Sequence, residues 1–419
     1  MIDDDDEKGS VTVMLLLLLS LSTTLPRSVH IIYVYRERER EREMNYYGKE
    51  VGLTADSVEF HPIENDWFAC STYQIDQQHD LQYKERRSGI LYLFKIERDQ
   101  ETTGAFNFVM KCQVQFDSGI LDAKWSRSQA VMQRQKESVL AVVLSRGDIR
   151  YFKLLEDNTA EGEYKLDEVP LITNSQYRIS KGDDILALSI DWNNKDNDTT
   201  NNDNDNNNNK IVSSFSDGSL AVLKNGNQMV HRWKAHGYEA WIAAYNYHDS
   251  NFVMSGGDDC LFKSWDLRMI NQVDPEDDEI EEGVTAISQK RCEMGVTSIH
   301  CHPSKEHIVA QGSYDEKLRI WDLRSMRAPL SITDSLGGGV WRVKWHPTDS
   351  NRLVTACMSG GFHIVHYEND DYSSPTVQHS YNGDHKSIAY GVDWSSLIDD
   401  QYIGCCSFYD KYLSIWKPF

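Results

Sequence analysis

Gly256–Arg268 reads GGDDCLFKSWDLR, and Gly312–Arg324 reads GSYDEKLRIWDLR. Each opens on a turn of small and acidic residues, alternates apolar with polar positions, and closes on Trp-Asp-Leu-Arg. Alternation of period two marks a strand that buries one face. A turn and strand spelled twice in this way mark an internal repeat.

Working outward, the same unit recurs seven times. Each has an inner strand ending near Trp or His-Pro, a second strand rich in small apolar residues, and a tight turn into a third strand. The first unit contains Ser57-Val-Glu-Phe-His-Pro62, and the second Ile120-Leu-Asp-Ala-Lys-Trp125. Counterparts begin at Leu186, Ala240, Val296, Val340 and Ala389. Units ending in Trp-Asp resemble WD repeats, which fold as four-stranded blades of a propeller. The expected fold is all-β, a single seven-bladed WD-repeat β-propeller over residues 44–419. Closure into a ring leaves no open sheet edge. At about 54 residues per unit the blades exceed the usual ~40–45, so loops are inserted.

Two segments stand apart. Residues 1–43 combine an apolar stretch, Val11–Leu21, with the alternating charges of Arg36–Glu43. The stretch is too short to span a bilayer, and the acidic start lacks the positive charge of a secretory signal. Residues 1–43 read as an extension outside the fold, with Met44 as a working start. Residues 193–209 are Asn-rich and too polar to pack, so they read as a disordered insert. Asp274–Glu282 reads as a solvated acidic loop.

The chain has 419 residues, 40% of them hydrophobic, and 65 acidic residues against 43 basic give a net charge of −22. That balance argues against nucleic-acid binding, which needs basic surface. The eight cysteines form no CxxC and no zinc spacing, so no metal and no disulfide framework are expected. The reading is a cytoplasmic protein with reduced thiols, monomeric and not inserted in a membrane.

Spacing within the units suggests hydrogen-bond tetrads that satisfy buried polar groups. One is His236, Ser255, Asp259 and Trp265. A second is His385, Ser407, Asp410 and Trp416. These are read as structural. The chain carries no GxSxG, HExxH, P-loop or GxGxxG motif of known chemistry.

Three loops carry more than turn residues: Ala235–Ile242, Leu336–Arg342 and His385–Tyr390. Loops between blades gather at one end of the channel. There Glu239, Trp241, Asp258, Tyr314, Trp341, Arg342 and Tyr390 are expected to converge, either as a site or as an aromatic protein-binding rim.

HGYEAW, SGGDDC and GGGVWR together resemble the WD-repeat diphthine methylesterase family of the diphthamide pathway, also named diphthine methyltransferase. Leu53–Glu59, Cys357–Phe362 and His385–Trp394 share the likeness, which covers roughly residues 50–416. The resemblance implies hydrolysis of the methyl ester of methylated diphthine on translation elongation factor 2, before the final amidation. It implies no cofactor. Elongation factor 2, and other proteins of that pathway, would be the partners.

Ester hydrolysis needs an activated water and donors for the oxyanion. Glu239 is the candidate base. Arg342 with the Gly338 and Gly339 amides are the candidate oxyanion donors. The substrate's quaternary ammonium suits aromatic faces. Trp241, Trp341 and Tyr390 would be its walls, with Asp258 as charge partner and Tyr314 beside them. Cys357 is the alternative nucleophile. A non-enzymatic adaptor for protein complexes or endosomal trafficking is the rival reading.

Overall fold

In the computed structural model the described residues are 46–75, 87–98, 105–126, 138–156, 164–169, 185–193, 210–224, 228–273, 280–396 and 401–418. They lie within one compact unit, Tyr46–Pro418. Residues 1–43, the start at Met44, and most of the Asn-rich and acidic inserts lie outside them.

Seven antiparallel sheets follow one another around the ring. The innermost strands, blade one to blade seven, are Ala55–Phe60, Ile120–Trp125, Ala187–Trp192, Ile242–Asn246, Val296–Cys301, Arg342–Trp345 and Ala389–Trp394. Apart from one 3-10 turn at Leu267–Met269, all regular elements among the described residues are strands. The fold is a seven-bladed β-propeller, all-β.

The first strand lies where the sequence does not point to it. Tyr46–Glu50 pairs antiparallel with Tyr412–Trp416, Tyr46 opposite Trp416 and Glu50 opposite Tyr412. It is the outer strand of blade seven, so N-terminal chain completes the C-terminal blade.

Neighbouring blades are joined by a repeated device. The Trp that ends an inner strand donates its indole N–H to a carbonyl of the preceding blade. Trp125 reaches Glu59 O at 3.3 Å and Trp192 reaches Lys124 O at 2.8 Å. Trp345 reaches His300 O at 3.0 Å and Trp394 reaches Lys344 O at 3.1 Å. The His of each His-Pro packs on the next blade's Trp: His61 on Trp125, His302 on Trp345 and His346 on Trp394, with centroids 4.6 to 4.7 Å apart. Each of these histidines accepts two backbone N–H groups at Nδ1, those of Ile63 and Glu64, of Ser304 and Lys305, and of Thr348 and Asp349. The His-Pro spelling is therefore a turn cap and an inter-blade contact at once.

The blade-four network runs in one direction. Trp265 Nε1 donates to Ser255 Oγ at 2.8 Å, Ser255 Oγ meets His236 Nε2 at 2.8 Å, and His236 Nδ1 meets Asp259 Oδ1 at 2.9 Å. Burial holds His236 below its ordinary value, so it is neutral at pH 7 and its one proton sits on Nδ1, facing Asp259.

Blade seven departs from the expected tetrad. Trp416 Nε1 donates to Cys405 Sγ at 3.2 Å, not to Ser407. His385 bonds Ser407 and Ser414, at 2.6 and 2.7 Å, and Asp410 is reached through Ser407. Register explains the change. Trp265 lies opposite Val253, and Ser255 is two residues on. Trp416 lies opposite Ile403, so the matching position is Cys405. Blade five obeys the same rule: Trp321 lies opposite Val309 and donates to Gln311 Oε1 at 3.1 Å.

The acidic loop is also corrected at its end. Glu281 is tied down, its backbone N–H donating to Arg232 O and its carboxylate accepting from Asn271 N and Nδ2 at 3.0 and 2.7 Å.

Candidate functional site

The inner strands build the channel in tiers. The deepest charged tier pairs Lys344 with Glu59 and with Asp393 (3.7 Å), and Lys124 with Asp191 (3.4 Å). Three acids accept the next blade's backbone N–H. Asp122 takes Ile190 N at 3.2 Å, Asp191 takes Tyr245 N at 2.9 Å, and Asp393 takes Phe60 N at 2.9 Å. These acids clamp blade to blade, the last across the ring closure.

Arg342 lies within this charged lining rather than on the mouth. Its guanidinium is buried and meets Asp122 Oδ1 at 3.2 Å. Burial works against its charge, and Asp122, Asp56 and Glu59 outweigh burial. The sequence reading set it higher because it adjoins Trp341. The inner strand starts at Arg342 itself, which turns its side chain inward.

Above it the aromatic residues come together. Trp341 stacks on Tyr390, centroids 4.6 Å apart at 30°. Trp241 stands edge-on to Trp341 at 5.7 Å and to Tyr314 at 6.2 Å, and Tyr314 is 5.9 Å from Trp341. These rings touch one another, so they form a contiguous shelf and not an open box. A cation meets such a shelf on its outer face. Asp258 is its acidic rim, accepting the Trp241 indole N–H at 3.0 Å. Gly295 lets the next blade approach, since a Cβ there would lie 2.9 Å from Asp258 Oδ1 and 3.1 Å from Tyr314 Cδ2. Glu239 adjoins: its carbonyl accepts from Asp258 N at 2.9 Å. Burial, then Asp258 and Glu239, push the Tyr314 phenol up, so it stays protonated.

The glycines divide. Gly339 faces the shelf, with Tyr314 Cδ1 at 3.0 Å from where its Cβ would be. Gly338 is packed against its own blade's turn, where a Cβ would fall 2.3 Å from Cys357 O. The missing side chain of Gly338 lets the loop pass that turn. Cys357 is fully buried and bonded to Thr355 Oγ1 at 3.1 Å, and burial pushes its thiol up to about 12. Such a thiol is no nucleophile at neutral pH.

Sequence reasoning missed three residues at this end of the channel. Phe408 packs on Tyr390 at 4.9 Å and on Tyr73 at 5.0 Å, extending the shelf. Asp56, in Leu53–Glu59, is 2% exposed beneath it. Counting every inner strand from its first residue, instead of starting blade one at Ser57, would have aligned Asp56 with Trp341 and Tyr390. Among the described residues no group of His, Cys, Asp and Glu is arranged to hold a metal ion. No helix among them is long and apolar enough to cross a membrane.

Comparison with known proteins places the chain among relatives. The family model described as WD domain, G-beta repeat matches residues 287–322. The "Diphthine methyltransferase homolog" of Dictyostelium discoideum is 47% identical over 391 residues, covering 88% of this chain and 98% of that protein. The "Diphthine methyltransferase" of Mus musculus is 34% identical, covering 83% and 68%. That of Homo sapiens is 34% identical, covering 83% and 73%. Among solved structures, a chain of "Crystal Structure of Mitotic Checkpoint Complex" superposes with a TM-score of 0.57 at 14% identity, over 89% of this chain and 91% of that one. That likeness concerns the fold alone.

Proposed function

The chain belongs to the diphthine methyltransferase family, and on that premise we propose that it acts in diphthamide biosynthesis as a methylesterase. Its substrate is methylated diphthine on translation elongation factor 2, and its products are the free carboxylate and methanol. The observation that carries this reading is the aromatic shelf with carboxylates at its edge. A quaternary ammonium rests on the outer ring faces of Trp241, Trp341 and Tyr390, within the field of Asp258. That anchors the side chain whose ester must react, and it favours the modified residue over an ordinary histidine. Glu239 takes a proton from the attacking water. Arg342 supplies positive field from below as charge develops on the ester oxygen.

The test uses elongation factor 2 carrying methylated diphthine, incubated with the protein and followed by the mass of the modified peptide. Loss of one CH2 unit is the expected result. Glu239→Gln should slow it by about 10²–10⁴-fold, the span of a general base. Trp341→Ala should raise KM more than it lowers kcat. A folded protein that binds elongation factor 2 and leaves its mass unchanged is an adaptor, and this reading then falls.

A further inference from the structure

Most inner strands share an irregularity near their start. Register skips one residue between Ala55 and Ser57, Ile120 and Asp122, Ala187 and Ser189, Val296 and Ser298, and Ala389 and Gly391. The skipped residues are Asp56, Leu121, Leu188, Thr297 and Tyr390. A bulge of this kind re-aims one side chain out of the alternation. In blades four and six the matching residues, Trp241 and Trp341, directly precede the first paired position. Three rings of the shelf, Trp241, Trp341 and Tyr390, therefore share one tier of strand-start positions, and Asp56 is the one carboxylate in that tier.

Asp56 differs from every other inner acid described above. Asp122, Asp191 and Asp393 are occupied with backbone N–H groups of the next blade, and Glu59 with Lys344. Asp56 Oδ2 is buried without a hydrogen-bond partner among the described residues, and so is the Trp341 indole N–H in the same tier. A buried polar atom without a partner calls for an explanation, and two in one tier of a channel mouth point to a ligand. The groups that act electrostatically on Asp56 or feel its charge are Arg342, Asp122, Tyr73, Tyr390, Cys70 and Cys406.

We infer that Asp56 is the catalytic proton donor of the ester hydrolysis, delivering its proton to the departing methoxide. This rests on the esterase reading above. Water attacks the ester carbonyl carbon and gives a proton to Glu239, forming a tetrahedral oxyanion. The carbon–methoxy bond breaks as the carbonyl re-forms, and methoxide takes the Asp56 proton to leave as methanol. The product carboxylic acid returns its proton to Asp56, and Glu239 releases its own to solvent. Burial, opposed by Arg342 and aided by Asp122, raises the Asp56 carboxyl well above its ordinary range, which favours the protonated form that this task needs.

The experiment compares wild type, Asp56→Asn and Asp56→Glu with methylated elongation factor 2 across pH. Asparagine copies the shape of the neutral acid and has no proton to give. A drop of about 10²–10⁴-fold in kcat is expected for D56N, with loss of the alkaline limb of the pH profile and partial recovery in D56E. A wild-type rate and profile in D56N overturns the inference and leaves the esterase standing. No hydrolysis by wild type removes the esterase reading and this inference with it. A readout free of activity is the infrared band of a protonated carboxyl at neutral pH, expected in wild type and gone in D56N. If wild type lacks the band, Asp56 is not the donor.

Discussion

Asp56 sits where its neutral form is tolerated and its charge is not. In the unfolded chain it ionises near the ordinary 3.8, and in the fold well above that. Between those two values the folded state holds the extra proton, so stability falls as pH rises through the window. Asp56→Asn removes this dependence. Its melting temperature should exceed wild type at pH 7 and converge with it below about pH 4, as thermal scans across pH would show. A more stable and less active variant is the usual mark of a functional group held against its preference. Ser255 makes the opposite case. It accepts a hydrogen bond from the Trp265 indole N–H and bonds His236, so Ser255→Ala leaves two buried groups without partners. Chemical denaturation should register a loss of about 1–3 kcal/mol. The blade-four network was legible because its four residues follow the family spacing. Blade seven misled because its apparent serine, Ser407, is out of register with Trp416, and only strand pairing reveals Cys405 in that place.

The inner strand is the element that carries both assembly and site. Its terminal Trp latches the previous blade, its acids clamp the next, and its bulge aims one side chain at the mouth. Trp394→Phe keeps most of the packing and removes the bond to Lys344 O, so a cost of about 0.5–1.5 kcal/mol is expected on denaturation. The His-Pro corners add a pH dependence of their own. Burial lowers His61 and His302 to about 4 from an ordinary 6.5. The unfolded chain binds these protons first, so the stability they give is present above 6.5 and is lost as pH falls toward 4. The melting temperature should drop over that window, and His302→Asn should flatten the drop. The strand ends were legible because Trp or His-Pro closes the inner strand in six of the seven blades. The bulges were not, since one extra residue shifts the alternation by which a strand is recognised. That shift is why blade one was read from Ser57 and Asp56 went unseen.

At the scale of the whole molecule, seven sheets and their order could be read from repetition, and the closing strand could not. Tyr46–Glu50 is short, lacks clear alternation and pairs with the far end of the chain. A protein beginning at Gly52 loses this strand and exposes the Tyr412–Trp416 edge. It should melt well below the protein beginning at Met44 and associate with itself through that edge, as light scattering would detect. The same pairing also sets an order of events in time. A ribosome adding ~5–20 residues per second releases the first strand on the order of tens of seconds before its partner exists. For that interval the nascent chain carries an unpaired first strand, and the ring cannot shut until synthesis is almost over. The protein is thus most exposed to aggregation while it is being made, and the last blade to emerge decides whether the first strand finds its place.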